Sequence, residues 1–351
     1  MKIINAVYGD STGGRWIATL KTAELLAGSG HEVILLIDPC DLHKVPSSLP
    51  SSIEVISMKN SGHYDLIASL KARRLINERG INAIIAHSGR AIWLLKRAAP
   101  RGVPVIALNH SHNIKRTLRA DAFFCVTPYM RQLVDQATGG SKPSFVISNA
   151  VSIPDAALLQ PVIHTTPVVG LIGRLADGKG TLYLLQALAL LRDRGLVLPA
   201  RIAGTGEEMD MLKAACRDLG LSAQVEFLGW VSDTDKAAFF NSVDLLCFTS
   251  YRDVQPLVLL EMMAWGKAII GNDLEGPASI YEHNETALVV PTRNAPALAE
   301  AIATLAADRG LRGRLGHNAR IKAEHCHADA AVAALLNQHV SELVAQHFAA
   351  T

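Results

Sequence analysis

Val168-Val169-Gly170-Leu171-Ile172-Gly173-Arg174-Leu175, followed by Asp177-Gly178-Lys179-Gly180, is an apolar run of strand length that ends on an arginine, a glycine-bearing loop, and a lysine where an apolar helix begins. A strand that passes through a short glycine loop into a helix is the building unit of parallel sheets covered by helices on both faces. The same alternation recurs on either side. Downstream, strand-like runs fall at 201–203, 225–228, 245–248, 268–270 and 287–289; upstream they fall at 3–7, 32–37, 53–56, 83–86, 105–108, 122–126 and 145–147. Helix-period segments lie between most of them, so the fold class is α/β. Between the two series, residues 148–167 carry Pro154, Pro161 and Pro167 without clear periodicity, which marks a linker. At 351 residues the chain exceeds the usual size of one hydrophobic core, and two doubly wound domains in tandem fit these counts. After Pro296 the chain reads as helix almost to its end, and the last amphipathic stretch, 329–344, is longer than closing one sheet requires.

Composition narrows the classes further. Hydrophobic residues make up 49% and charged ones 19%, which excludes disorder. No run approaches eighteen apolar residues and the first strand is too short for a signal peptide's core, so a cytoplasmic location is expected. Five cysteines, Cys40, Cys125, Cys216, Cys247 and Cys326, are scattered without a CxxC pair, which argues against a disulfide framework. His325, Cys326 and His327 are consecutive, and helical neighbours point about 100° apart, so they cannot share one ion; His110 and His112 lack a third ligand nearby. No metal site and no cofactor are expected. Net charge is +2, yet residues 1–160 hold 18 Lys/Arg against 11 Asp/Glu, and residues 161–351 hold 16 against 21. The halves, +7 and −5, suggest that the first meets something anionic. Nothing points to nucleic acid.

Ligands of parallel α/β domains bind beyond the carboxyl ends of the strands. Three such places carry chemistry. Gly9-Asp10-Ser11-Thr12-Gly13-Gly14 follows the first strand and opens a helix; adjacent glycines let amides approach an anion, and the helix start adds positive potential. The spacing is not GxGxxG, which disfavours a nicotinamide enzyme. Arg174 and Lys179, beside helix-start amides, make a site for a diphosphate; the plainer reading is an N-cap Asp177 with two solvated cations. The third place runs Ser250-Tyr251-Arg252-Asp253-Val254-Gln255-Pro256-Leu257 and on to Glu261. Pro256 suits the first turn of a helix, which puts Glu261 one turn further in and Asp253 in the loop before it. Carboxylates there can accept hydrogen bonds from hydroxyls, and loop amides can hold a phosphate or sugar oxygen.

These features together resemble family-4 retaining glycosyltransferases of the GT-B fold, over nearly the whole chain. The ordered series carries the resemblance: the Gly173-Arg174-Leu175 strand end with Lys179 five residues after the arginine, Gly204-Thr205-Gly206, Val225-Glu226-Phe227-Leu228-Gly229, and Asp253 eight positions before Glu261. In the first half, Gly13-Gly14 looks like the family's glycine-rich loop, Gly30-His31-Glu32-Val33 like its entry to strand two, and His110 like its histidine near the donor. The chain departs from the family's pattern at Asp253 and Pro256, where glutamate and glycine are usual, and at Asn149-Ala150-Val151, where the family has Asn-Gly-Val.

The resemblance implies two Rossmann-like domains facing across a cleft: residues 1–155 receive the acceptor, 156–328 bind the nucleotide sugar, and a helix at 329–351 returns to the first domain. It implies transfer with retention and without metal, from a nucleotide-diphosphate sugar, UDP favoured, to a hydroxyl of a cell-envelope glycan or lipid-linked acceptor. Arg174 and Lys179 would stabilise the leaving diphosphate, Asp253 and His110 would contact the donor sugar, and Glu261 would hold the ribose. Gly13, Gly14, Gly173, Gly204, Gly229, Trp230, Val231, Val254, Gln255, Pro256 and Leu257 would line the donor site, with the backbone of 229–231 at the base. A non-catalytic sugar-nucleotide-binding subunit and a GT-B epimerase are the alternatives. Arg90, Lys96, Arg97, Arg101, Lys115, Arg116 and Arg119 cluster within thirty residues, which suggests an anionic acceptor or an anionic membrane surface.

Overall fold

The computed structural model describes residues 1–9, 13–162 and 164–349. The chain divides into two compact units, residues 1–150 with 329–351 and residues 151–328.

The first unit alternates β1 (Lys2–Ala6), α1 (Gly13–Gly28), β2 (Glu32–Ile37), β3 (Ile53–Ser57), α2 (Leu66–Arg79), β4 (Ala83–Ala86), α3 (Gly89–Ala98), β5 (Val105–Asn109), β6 (Ala122–Cys125), α4 (Pro128–Thr138) and β7 (Ser144–Val146). Its seven strands form one parallel sheet in the order β3-β2-β1-β4-β5-β6-β7. Ile3, Ile4, Ile84, Ile85, Ile106 and Phe124 are sealed from solvent, as expected of central strands covered on both faces, and burying each such side chain contributes about 1.5–3 kcal/mol.

The second unit holds β8 (Val169–Ile172), α5 (Thr181–Asp193), β9 (Ala200–Ala203), α6 (Met209–Asp218), β10 (Val225–Gly229), α7 (Lys236–Asn241), β11 (Leu245–Cys247), α8 (Leu257–Ala264), β12 (Ala268–Asn272), α9 (Glu275–Ala278), β13 (Leu288–Val290), α10 (Ala295–Ala307) and α11 (Arg309–Cys326). Its parallel sheet runs β10-β9-β8-β11-β12-β13. Period-2 alternation splits its core into two. Val169, Leu171, Ile202 and Ile270 pack with Leu184, Leu188 and Ile302 on one face. Ala203, Leu246 and Ile269 pack with Phe240, Leu260 and Met263 on the other. The final helix, α12 (Asp329–Ala349), belongs to the first unit, where Asn337 meets His31 at 2.8 Å and Asp329 pairs with Lys21 at 3.1 Å.

Each sheet reverses direction of winding once, between β1 and β4 in the first and between β8 and β11 in the second. In open α/β sheets the crevice beyond the strand ends at that point is where ligands bind. Among the described residues no helix is long and apolar enough to cross a membrane.

Candidate active site

In the second unit, the loops that leave β8, β9 and β10 are laced together by their backbones. Gly173 N donates to Ala203 O at 3.0 Å, Gly204 N to Gly229 O at 2.6 Å and Leu175 N to Thr205 O at 2.8 Å. A Cβ on Gly204 would lie 1.8 Å from the Gly173 carbonyl oxygen, and one on Gly206 2.1 Å from that of Leu175. Gly204 therefore has a packing reason to be glycine, whatever else its amide does. The loop after β8 is strapped to the loop after β11: Tyr251 N and the Ser250 hydroxyl both donate to Gly178 O, and the Thr249 hydroxyl donates to Lys179 O at 2.8 Å. Gly180, at φ +69, leaves no room for a side chain, since a Cβ would meet Thr249 O at 2.3 Å.

This strapping brings the sequence-selected charges together. Lys179 Nζ donates to both oxygens of Asp253, at 2.8 and 2.6 Å, across 74 residues. Arg174, on the same loop, is exposed and has no hydrogen-bond or ion-pair partner among the described residues. Asp177 is not the helix cap of the plainer reading; Gly180 occupies the N-cap of α5, and Asp177 accepts from Tyr251 Oη at 2.7 Å and pairs with Arg252 at 2.6 Å. Arg293 lies 4.0 Å over the Tyr251 ring.

Pro256 stands at the N-cap of α8, one residue before the first-turn position expected for it, so Leu257 opens the helix, and no side chain caps it. The loop ahead of it, with Asp253 and Val254 half-buried and Gln255 buried, is supported from below: a Cβ on Gly276 would meet Val254 O at 2.4 Å. Glu261, one turn into α8, accepts from Lys236 Nζ at 2.6 Å, and Lys236 also pairs with Asp233 at 2.8 Å. Burial lifts the Glu261 carboxyl above its usual range against the opposing pull of Lys236. After β10, Gly229 takes φ +72, Trp230 is 76% exposed and Val231 packs against the core. Lys236 was not singled out by sequence; its only signal is distance-dependent, because it faces Glu261 from a different helix.

His110, Gly13 and Gly14 belong to the first unit. Gly13 and Gly14 open α1, both exposed; residues 10–12 of the glycine-rich loop lie outside the described residues. His110 follows β5 and lines a cavity of about 310 Å³ beyond the ends of β1, β4 and β5, at this sheet's own switch point. Its Nε2 lies 2.9 Å from His87 Nδ1, while His87 Nε2 lies 2.7 Å from Asn5 Oδ1. The Asn5 amide is oriented by its NH₂, which donates to Thr19 O at 2.8 Å. The Asn5 oxygen only accepts, so His87 carries its proton on Nε2 and accepts at Nδ1 from His110 Nε2–H. His110 Nδ1 is thereby left as an acceptor. Burial, with the field of Arg15 adding to it, pulls His110 down to about 3, so both rings are neutral.

Of the basic cluster, Arg90 and Arg116 line this cavity, joined by Arg15 and His63, which the sequence did not single out. The others are used elsewhere: Lys96 pairs with Asp121, and Arg119 stacks 3.5 Å over the Trp93 ring. Lys115 and Arg101 are exposed, and Arg97 is half-buried. His87, Ser88, Gly89 and Arg90 directly follow β4, and inspection of the residues after each strand that flanks β1 would have found them. Among the described residues no three His, Cys, Asp or Glu side chains group as ligands for a metal ion.

Residues 12–153 match the family model described as Glycosyltransferase Family 4, and residues 160–322 match that described as Glycosyl transferases group 1. The lipopolysaccharide core biosynthesis glycosyltransferase LpsE of Rhizobium meliloti (strain 1021) is 33% identical over 324 residues, 90% of this chain and 92% of that protein. The phosphatidyl-myo-inositol mannosyltransferase of Mycolicibacterium smegmatis (strain ATCC 700084 / mc(2)155) is 26% identical over 86% of this chain and 83% of its own length. Among solved structures, a glycosyltransferase from Rickettsia africae ESF-5 matches with a TM-score of 0.81 at 18% identity, covering 98% of each chain. Anabaena Alr3699/HepE in complex with UDP matches with a TM-score of 0.80 at 19% identity, over 97% of this chain and 100% of that one. The two switch-point sites thus sit on a shared two-sheet architecture, and the chain belongs to the GT-B glycosyltransferases of the family 4 and group 1 type.

Proposed function

We propose that the protein transfers a sugar from a nucleotide-diphosphate donor, UDP-linked, to a hydroxyl of a cell-envelope glycan or lipid-linked acceptor, with retention and without a metal ion. One observation carries the reading: Arg174 has no partner among the described residues and stands on a loop whose Lys179 is already oriented by Asp253, beside the uncapped start of α8. In the reaction the bond between the anomeric carbon and the diphosphate oxygen breaks first. The acceptor oxygen then attacks from the same face, and its proton passes to the departing phosphate. Negative charge grows on the leaving group, so fixed cations stabilise the transition state more than the bound donor.

Arg174 offers a planar array of donors to the diphosphate, while Lys179 turns its remaining donor capacity to it and keeps Asp253 in register for a sugar hydroxyl. Glu261, held by Lys236, accepts from ribose hydroxyls, and the exposed Trp230 ring offers the base a stacking face. His110 Nδ1 accepts from a donor-sugar hydroxyl. This route needs no protein nucleophile and so no glycosidase-like carboxylate pair. The HepE complexes with UDP and with UDP-glucose support the choice of nucleotide, and the likeness to LpsE and to the mannosyltransferase supports an envelope acceptor.

We further place the work at the inner face of the cytoplasmic membrane. Leu66, Ile67 and Leu70 are 63%, 69% and 69% exposed on α2, next to the exposed Lys71 and Arg73, an arrangement suited to an anionic leaflet. The function is tested by incubating the protein with UDP-, GDP-, ADP- and dTDP-sugars, with and without envelope extract. Acceptor-dependent release of UDP and formation of a glycoside with the donor's anomeric configuration are expected. Release without acceptor, isomerisation of the donor alone, or no release with any donor would each remove the assignment.

A further inference from the structure

Resting on that reading, we infer that the cavity of the first unit is a recognition site for a phosphate group carried by the acceptor. Its lining is rich in hydrogen-bond donors and, among the described residues, contains no carboxylate. Arg90 and Arg116 reach it from different elements, the first from α3 and the second from the short turn after β5, and neither has a hydrogen-bond or ion-pair partner among the described residues. Gly89 makes room for the second of them, since a Cβ there would lie 2.6 Å from Arg116 Cβ. Asp38, the carboxylate whose field Arg90 meets, does not line the cavity. His63 at its edge is held below the ordinary imidazole range by burial and by the fields of Arg116 and Arg90.

Three neutral donors complete the set. Tyr8 is 1% exposed and Asn109 3% exposed, and both line the cavity. The Tyr8 hydroxyl and the Asn109 NH₂ have no partner among the described residues, a condition that native proteins keep rare and that a bound ligand would relieve. Ser88 Oγ accepts from Tyr8 N and Ala91 N, both at 3.2 Å, which leaves its own proton for a ligand. Guanidinium, phenol, amide and hydroxyl donors that converge with no carboxylate among the described lining residues suit a group with several charged oxygens, and phosphate supplies three. At about 310 Å³ the space is at the small end of ligand pockets, enough for a phosphorylated sugar or a headgroup.

The test uses the full chain saturated with UDP, so that the second unit's cations are occupied. Binding of inorganic phosphate is followed by ³¹P line broadening, and the acceptor Michaelis constant is measured for intact and phosphatase-treated envelope extract, separated into lipid and aqueous fractions. Arg90→Ala, Arg116→Ala and Tyr8→Phe are compared with Lys115→Ala. Tyr8→Phe removes an unpaired hydroxyl and should melt with the wild type, so a binding defect there cannot be attributed to misfolding. Phosphate is expected to bind in the presence of UDP, tenfold or more weakly in both arginine variants and severalfold more weakly in Tyr8→Phe, with Lys115→Ala unchanged. Phosphatase treatment should raise the wild-type acceptor Michaelis constant tenfold and leave that of Arg116→Ala unmoved. The responsive fraction identifies a lipid or a soluble glycan as the source of the phosphate. Phosphate binding that UDP abolishes, or that Arg174→Ala weakens and Arg116→Ala does not, would assign the anion to the donor and overturn the inference. Phosphate binding with no transfer to any acceptor would instead break the glycosyl-transfer reading and leave the site standing.

Discussion

Lys179→Met tests whether the lysine acts on the donor or only on Asp253. The pair is bidentate, and the two side chains are 26% and 17% exposed. Exposed ion pairs contribute about 0–1 kcal/mol and breaking a fully buried one costs about 3–5; this half-buried pair lies between, so Lys179→Met should destabilise the second unit by about 2 kcal/mol. Turnover at saturating donor should fall roughly a hundredfold, equivalent to about 3 kcal/mol, because a cation facing the developing charge is lost. The double variant Lys179→Met, Asp253→Asn separates the two effects. It leaves a neutral pair of similar size, so stability should return to within about 1 kcal/mol of wild type. Turnover should not recover. Melting transitions and kcat are measured for wild type, both single variants and the double. If the double variant regains turnover to within about threefold of wild type, then Lys179 serves only to neutralise Asp253 and the leaving-group role assigned to it is wrong.

Activity should survive excess EDTA unchanged, since the cations proposed to meet the diphosphate, Arg174 and Lys179, are protein side chains; loss on chelation, restored by magnesium or manganese, would show that an ion does this work. His87 and His110 are neutral when folded, with His110 at about 3, and protonate when unfolded below about pH 6.5. The unfolded state therefore binds more protons, stability rises with pH between about 3 and 6.5, and acidification costs up to about 1.4 kcal/mol per pH unit for each histidine. Melting of wild type and His110→Gln between pH 4 and 7 should show a shallower slope in the variant; equal slopes would mean that His110 is not buried as a neutral ring. Trp230→Ala, at a 76% exposed ring, should leave melting unchanged and raise the UDP dissociation constant roughly tenfold, as loss of about 1–3 kcal/mol of base stacking implies; unchanged UDP affinity would remove Trp230 from the site.

The strands were readable because parallel strands buried on both faces must be short, apolar and punctuated by glycine loops, and each of the thirteen lies within two residues of its expected run. Arg174 was readable for a similar reason: it directly follows β8, beside the switch point. The partnerships were not. Lys179 with Asp253 spans 74 residues and Lys236 with Glu261 spans 25, and no local pattern announces which basic side chain a folded loop will deliver to which acid. Asp177 illustrates the same limit from the other side. Its position favours a helix cap, but Gly180, in the left-handed conformation, carries the chain into α5 and frees Asp177 for Tyr251 and Arg252. In the first unit, the excess of basic residues was visible as composition, whereas its division into three cavity-lining arginines and several basic residues placed elsewhere depended in part on Gly89 admitting the turn that bears Arg116.

The central claim is that Arg174, which has no partner among the described residues, meets the diphosphate as it departs. The most direct measurement is single-turnover release of UDP from a UDP-sugar in the presence of acceptor, for wild type and Arg174→Ala at saturating donor. The account predicts a rate about a hundredfold lower in the variant, with a much smaller change in donor affinity, because the interaction strengthens as charge develops. A wild-type rate in Arg174→Ala, or a loss confined to donor affinity, would contradict it.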